Sequence, residues 1–186
     1  ELAAGALGLS TGLEYEPGLY SNAAEVLTLA QDTAKMGGRY ISHVRSEDRH
    51  FWDAIEEIIN IGEVTGMPVQ ISHLKLAAKA FWGDTDRLLG RLTQARSKGI
   101  NISADIYPYE YWESTIWVLL PDRNADDLKE IQYVLDELTP ADGILFTRYK
   151  PNPSYVGKTI TEIAAMSGLG EAETVSSLMK QAAAWS

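Results

Sequence analysis

An α/β fold built on a parallel sheet is what this sequence predicts, and three observations predict it. Short apolar, strand-like runs alternate with amphipathic helical stretches, each pair occupying roughly thirty residues. A glycine closes each of the first three helical stretches, and a strand-like run follows at once. The runs are compact and apolar, as strands covered on both faces must be. This rhythm fits an α/β barrel or an open doubly wound sheet.

The strand candidates are residues 6–10, 39–44, 68–73, 100–105 and 143–148. The first helix is expected over residues 22–36, ending at Gly37-Gly38. A second follows Asp48, carries Ala54, Ile55, Ile58, Ile59 and Val64 on its expected core face, and stops at Gly66 before Pro68. A third, over residues 85–98, presents Leu88, Leu89, Leu92 and Ala95 before Gly99. Past Tyr111 the rhythm loosens: residues 121–127 are polar, a helix is expected over 126–138, and the tail reads as two short helices. No linker, low-complexity segment or repeat beyond the βα unit is visible.

Composition narrows the function. With 186 residues, 45% hydrophobic and 23% charged, the chain can bury a core. A formal net charge of −10 argues against a nucleic-acid partner, because phosphates are neutralised by clustered Lys and Arg; a small-molecule or peptide-like ligand fits better. The absence of cysteine excludes disulfides and is compatible with the cytoplasm, the compartment expected here. No run approaches the roughly 18 apolar residues of a membrane span, so no membrane partner is expected. The start, Glu1-Leu2-Ala3-Ala4-Gly5, has no targeting pattern and no Met, which fits a processed, excised or incompletely recorded sequence.

Two histidines stand in matching places. Tyr40-Ile41-Ser42-His43 and Val69-Gln70-Ile71-Ser72-His73 each end an apolar run with Ser-His, one βα unit apart. In parallel α/β folds ligands bind at the carboxyl ends of the strands, so the two imidazoles would converge on one rim, where neutral imidazole is a good zinc ligand. The alternative is that each caps its strand through hydrogen bonds. His50, in the charged run Ser46-Glu47-Asp48-Arg49-His50, reads as surface.

Another strand end, Ala104-Asp105-Ile106-Tyr107-Pro108-Tyr109, puts an acid and two phenols on the same rim; the alternative is that Tyr107 and Tyr109 pack under a loop while Asp105 caps a helix or holds an arginine. Lys75, two residues after His73, would favour an anionic group or else be solvated. Gly8, Gly12 and Gly18 lack the Gly-Lys-Ser/Thr or Gly-x-Gly-x-x-Gly patterns, so nucleotide binding is rejected.

Together these motifs carry a resemblance. They are Gly5-Ala6-Leu7-Gly8-Leu9-Ser10-Thr11-Gly12-Leu13-Glu14-Tyr15-Glu16-Pro17-Gly18, then Ser42-His43-Val44-Arg45-Ser46-Glu47, Gln70-Ile71-Ser72-His73-Leu74-Lys75 and Asp105-Ile106-Tyr107-Pro108-Tyr109. The chain resembles the D-aminoacylase (N-acyl-D-amino-acid deacylase) branch of the amidohydrolase superfamily, in order over residues 5–115 and again at Gly157-Lys158-Thr159-Ile160-Thr161-Glu162-Ile163-Ala164. Specificity lies in the set of motifs and not in any one.

The resemblance implies a partial (β/α)8 TIM-type barrel, about strands four to seven with their helices. Residues 1–186 are then expected to form a single partial barrel domain, incomplete at both ends. It implies a parent enzyme that hydrolyses the amide of an N-acyl-D-amino acid, using one or two divalent ions, zinc above all, to polarise the acyl carbonyl and activate the attacking water. His43 and His73 match the ligands at the ends of the fifth and sixth barrel strands. Tyr15, Lys75 and Tyr107 match positions that hold the substrate carboxylate. Arg45 and Glu47 belong to the motif and, with Asp105, are expected to support the metal site from behind.

Some family features are missing: the His-x-His of the first strand, a cysteine ligand, and the last-strand aspartate that serves as general acid/base. No residue of this chain is therefore expected to fill that catalytic role. The 186 residues alone are expected to hold zinc weakly, to be inactive, and to self-associate through unpaired sheet edges. The alternatives are another amidohydrolase acting on cyclic amides, of the dihydroorotase or hydantoinase kind, and a non-catalytic half-barrel with an interaction role.

Overall fold

Four parallel strands in the order β1-β2-β3-β4 carry the first of two units in the computed structural model, which describes residues 1–184. This unit, Glu1–Tyr111, runs β1 (Gly8–Gly12), α1 (Ala23–Lys35), β2 (Arg39–His43), α2 (Phe51–Thr65), β3 (Val69–Ile71), α3 (Thr85–Ser97) and β4 (Ile102–Ala104). Each strand pairs with the next in sequence through an intervening helix, the βαβ connection that parallel pairing demands. The α/β class and parallel sheet expected from the sequence are what the chain adopts.

Local chemistry explains the boundaries. Asn22 caps α1 by accepting the Glu25 N–H at 2.9 Å, and the helix gives way at Met36. Gly66 closes α2 in the left-handed region (φ 66°), donating its N–H to Gly62 O at 3.0 Å. Gly62 itself lets α2 approach the sheet, since a Cβ there would lie 2.7 Å from Ile100 Cγ2.

The core joins Tyr40, Val69, Ile71 and Ile102 of the sheet to Val26, Ala30, Ile55, Ile58, Ile59, Leu88 and Leu92 of the helices. Thr11 Oγ1 lies 2.7 Å from Tyr40 Oη and 2.9 Å from Ser42 Oγ, so the hydroxyls in this apolar setting are paired. Two residues expected on core faces are exposed, Val64 at 50% and Leu89 at 54%. At about 100° per residue, Val64 is half a revolution from Ile55, and Leu89 is turned about 100° away from Leu88.

The second unit, from Trp112 on, is helical. It contains α4 (Leu128–Tyr133), which continues into a π turn at Val134–Leu138, then α5 (Ile160–Ser167) and α6 (Glu171–Ala183). Its core gathers Ile131, Leu135, Phe146, Ile160, Ile163, Val175, Leu178 and Met179. The strand expected over residues 143–148 does not form. Ile144 O and Phe146 bond instead to the 157–160 segment, through Ile160 N–H to Ile144 O at 3.1 Å and Phe146 N–H to Lys158 O at 3.0 Å. Among the described residues the strand pairing there is a single antiparallel bridge, Leu145 with Thr159. The apolar run is used to seat Phe146 against Tyr149, ring centroids 5.3 Å apart, within the helical core.

Candidate metal centre

The carboxyl ends of the four strands lie side by side. His43 ends β2 and registers with Gly12, the last residue of β1; Leu13 N–H bonds onward to His43 O at 3.1 Å. His73 follows β3 by two residues, after Ser72 N–H bonds Ser42 O at 2.9 Å. This juxtaposition brings His43 Nδ1 to 2.9 Å from His73 Nε2, with the ring centroids 4.6 Å apart.

Each ring has a carboxylate behind it. Glu14 Oε2 lies 2.7 Å from His43 Nε2, and Glu47 Oε1 lies 3.1 Å from His73 Nδ1. Lys75 Nζ joins the second pair, donating to Glu47 Oε1 at 2.6 Å and lying 2.9 Å from His73 Nδ1. The side chains of His43, Glu47, Glu14 and Lys75 are 11%, 10%, 15% and 18% exposed, so water competes weakly for these bonds, whereas His73 is open at 33%.

This donor set fits a divalent cation. The facing nitrogens are close enough for one ion to reach both, given imidazole–zinc bonds of about 2.0–2.1 Å. A carboxylate on the far nitrogen is the usual partner of a metal-binding histidine. Among the described residues, ligand atoms of His43, Glu47 and His73 all lie within 4.8 Å of one another.

His73 adopts a left-handed backbone, φ 40°, a conformation that costs a non-glycine residue about 1–3 kcal/mol. Asp105, just past β4, offsets that cost. Its Oδ1 accepts the His73 N–H at 2.5 Å, its Oδ2 accepts Gln70 Nε2 at 2.6 Å, and its carbonyl accepts the Leu74 N–H at 2.8 Å. Asp105→Ala is expected to lower unfolding free energy by about 1 kcal/mol, a discounted figure because the carboxylate is exposed, and Asp105→Asn by less because it keeps an acceptor. Urea denaturation measures both, and equal stabilities for wild type and alanine variant would contradict the role.

The remaining rim residues differ in what they touch. The Tyr15 ring lies 4.7 Å from that of His43, and Lys75 Nζ sits 5.6 Å from the Tyr107 ring centroid. The Tyr107 hydroxyl is shut from solvent with no hydrogen-bond partner among the described residues, and burial pushes its pKa up. Tyr109 stacks on Tyr107 at 6.4 Å but is 64% exposed.

Arg45 turns to other partners, with Nε and Nη2 on the two Glu57 oxygens at 2.8 Å each and Nη1 on Ser21 O at 2.7 Å. The hydrogen-bonded Glu57 carboxylate raises the guanidinium pKa. Arg45 therefore ties β2 to α2 and to the approach to α1. His50 flanks α2 with its side chain 67% exposed. Sequence reasoning assigned Glu14 no role; its one signal was its place in the Gly5–Gly18 motif, and only the observed end of β1 at Gly12 puts it two residues beyond a strand.

No family model matches the chain. It is 36% identical over 167 residues to an N-acyl-D-glutamate deacylase of Alcaligenes xylosoxydans xylosoxydans, a match covering 90% of this chain and 31% of that protein. A solved D-aminoacylase, described as defining a novel subset of amidohydrolases, superposes with a TM-score of 0.74 at 31% identity over 95% of this chain and 34% of that one. The Bordetella bronchiseptica N-acyl-D-glutamate deacylase, solved with zinc and a phosphonate mimic of the tetrahedral intermediate, gives 0.72 at 32% identity over 92% of this chain and 32% of that one. The chain thus spans about a third of the length of these relatives. Its parallel sheet corresponds to part of an amidohydrolase barrel, and the chain is homologous to the D-aminoacylase branch of that superfamily.

Proposed function

We propose that this chain supplies the metal-holding and carboxylate-holding part of an N-acyl-D-amino-acid deacylase. The observation that carries the reading is the pair of facing imidazole nitrogens, 2.9 Å apart, each ring backed by a carboxylate. His43 and His73 would hold the ion, with Glu47 in reach as a further oxygen donor. Zinc is favoured by the mixed imidazole and carboxylate donors. Bound there, zinc supplies Lewis acidity toward the acyl carbonyl and activates water for attack.

The chain's own residues bind and orient. Lys75 presents an ammonium beside His73, 5.6 Å from the ring centroid of Tyr107, whose buried hydroxyl has no hydrogen-bond partner among the described residues. A phenol is protonated at neutral pH and able to donate, and burial pushes the pKa of this one further up. Tyr15, against His43, completes a clamp for the substrate carboxylate. Arg45 and Asp105 hold β2 and His73 in place from outside the reacting space.

With no residue of these 186 assigned to the general acid/base role, the isolated chain is expected to be inactive, and β1 and β4, the outer strands of its sheet, favour self-association. The test is hydrolysis by the full-length protein. N-acyl-D-amino acids, acidic ones included, should be cleaved, their L enantiomers much less, and a chelator should abolish the activity. Equal turnover of both enantiomers, or chelator-resistant turnover, would overturn the reading.

A further inference from the structure

We propose that Glu14 is a positioning residue that fixes the tautomer of His43, so that the Nδ1 lone pair points at His73; the consequence for metal binding rests on the reading of this rim as a metal site. An ionised carboxylate can only accept hydrogen bonds. Glu14 Oε2, 2.7 Å from His43 Nε2, therefore places the ring proton on Nε2. Nδ1 is left unprotonated on the side where His73 Nε2 lies 2.9 Å away. Without that hold the imidazole could carry its proton on either nitrogen, and the Nδ1–H form cannot ligate from the inward side.

The backbone keeps Glu14 where this requires. Leu13 N–H extends the β1 pairing to His43 O, so the next residue stands beside the ring. The loop then folds tightly back: Tyr15 N–H reaches Gly12 O at 3.4 Å and Leu19 N–H reaches Tyr15 O at 2.8 Å. Gly18 packs so closely that a Cβ would lie within 2.3 Å of Gly12 O. The Tyr15 ring, 4.7 Å from His43, closes the other side of the imidazole.

The test uses the full-length protein with 15N-labelled histidine, the His43 signals being identified by their loss in His43→Ala. In the metal-free wild type, His43 should carry its proton on Nε2. Glu14→Gln, which keeps an acceptor and the side-chain shape, should preserve that tautomer, whereas Glu14→Ala should populate the Nδ1–H form. Competition with a chromophoric chelator should show zinc affinity about 10–100-fold lower for Glu14→Ala, with Glu14→Gln in between. An unchanged tautomer in Glu14→Ala, or loss of the Nε2–H form in folded Glu14→Gln, would overturn the proposal. If wild type binds zinc no better than His43→Ala while the Nε2–H tautomer persists, the metal reading falls and Glu14's hold on the ring stands.

Discussion

His43→Ala and His73→Ala are each expected to strip the full-length protein of the ion at this rim and to lower kcat/KM by at least about 10³-fold, the equivalent of some 4 kcal/mol of lost transition-state stabilisation. The two nitrogens face each other across 2.9 Å, so neither ring can replace the other. Both variants should remain folded, because His43 ends its strand and His73 lies in a loop beyond β3, outside the apolar core. Metal analysis of the purified variants, beside their circular dichroism spectra, checks this. Full metal content in both would remove the basis of the reading.

Lys75→Met is expected to act on substrate binding. Its ammonium is the cation beside the histidine pair, and a hydrogen bond to a charged group is worth about 1.5–3 kcal/mol, which corresponds to a roughly 10- to 150-fold rise in KM. An interaction made equally in the ground and transition states leaves kcat nearly unchanged. The variant also strips Glu47 of its 2.6 Å partner, so unfolding free energy should be measured alongside. A fall in kcat with KM constant would place Lys75 in the chemistry and not in the clamp.

Much of the sheet was legible because each element carried a local signal. Asn22 and Gly66 bracket their helices by chemistry that spans a few residues, and the repeated Ser-His marked two strand ends. The failures share a cause. Residues 143–148 form an apolar run that reads the same whether it joins a sheet or seats Phe146 among helices, and only tertiary packing decides. Arg45 finds Glu57 twelve residues on, in the second turn of α2, and nothing in the spacing said which acid it would choose. Glu14 meets His43 across twenty-nine positions, a distance set by strand register alone. Lys75 and Tyr107 were placed on the rim by their strand ends and given the substrate carboxylate by resemblance, and their closeness, 5.6 Å from ammonium to ring, belongs to the three-dimensional fold.

Anomalous diffraction at the zinc absorption edge, on crystals of the full-length protein, bears most directly on the shared metal site. The ion should appear in contact with His43 Nδ1 and His73 Nε2 together. An ion held without either ring, or two rings turned to separate surroundings with no density joining them, would contradict it.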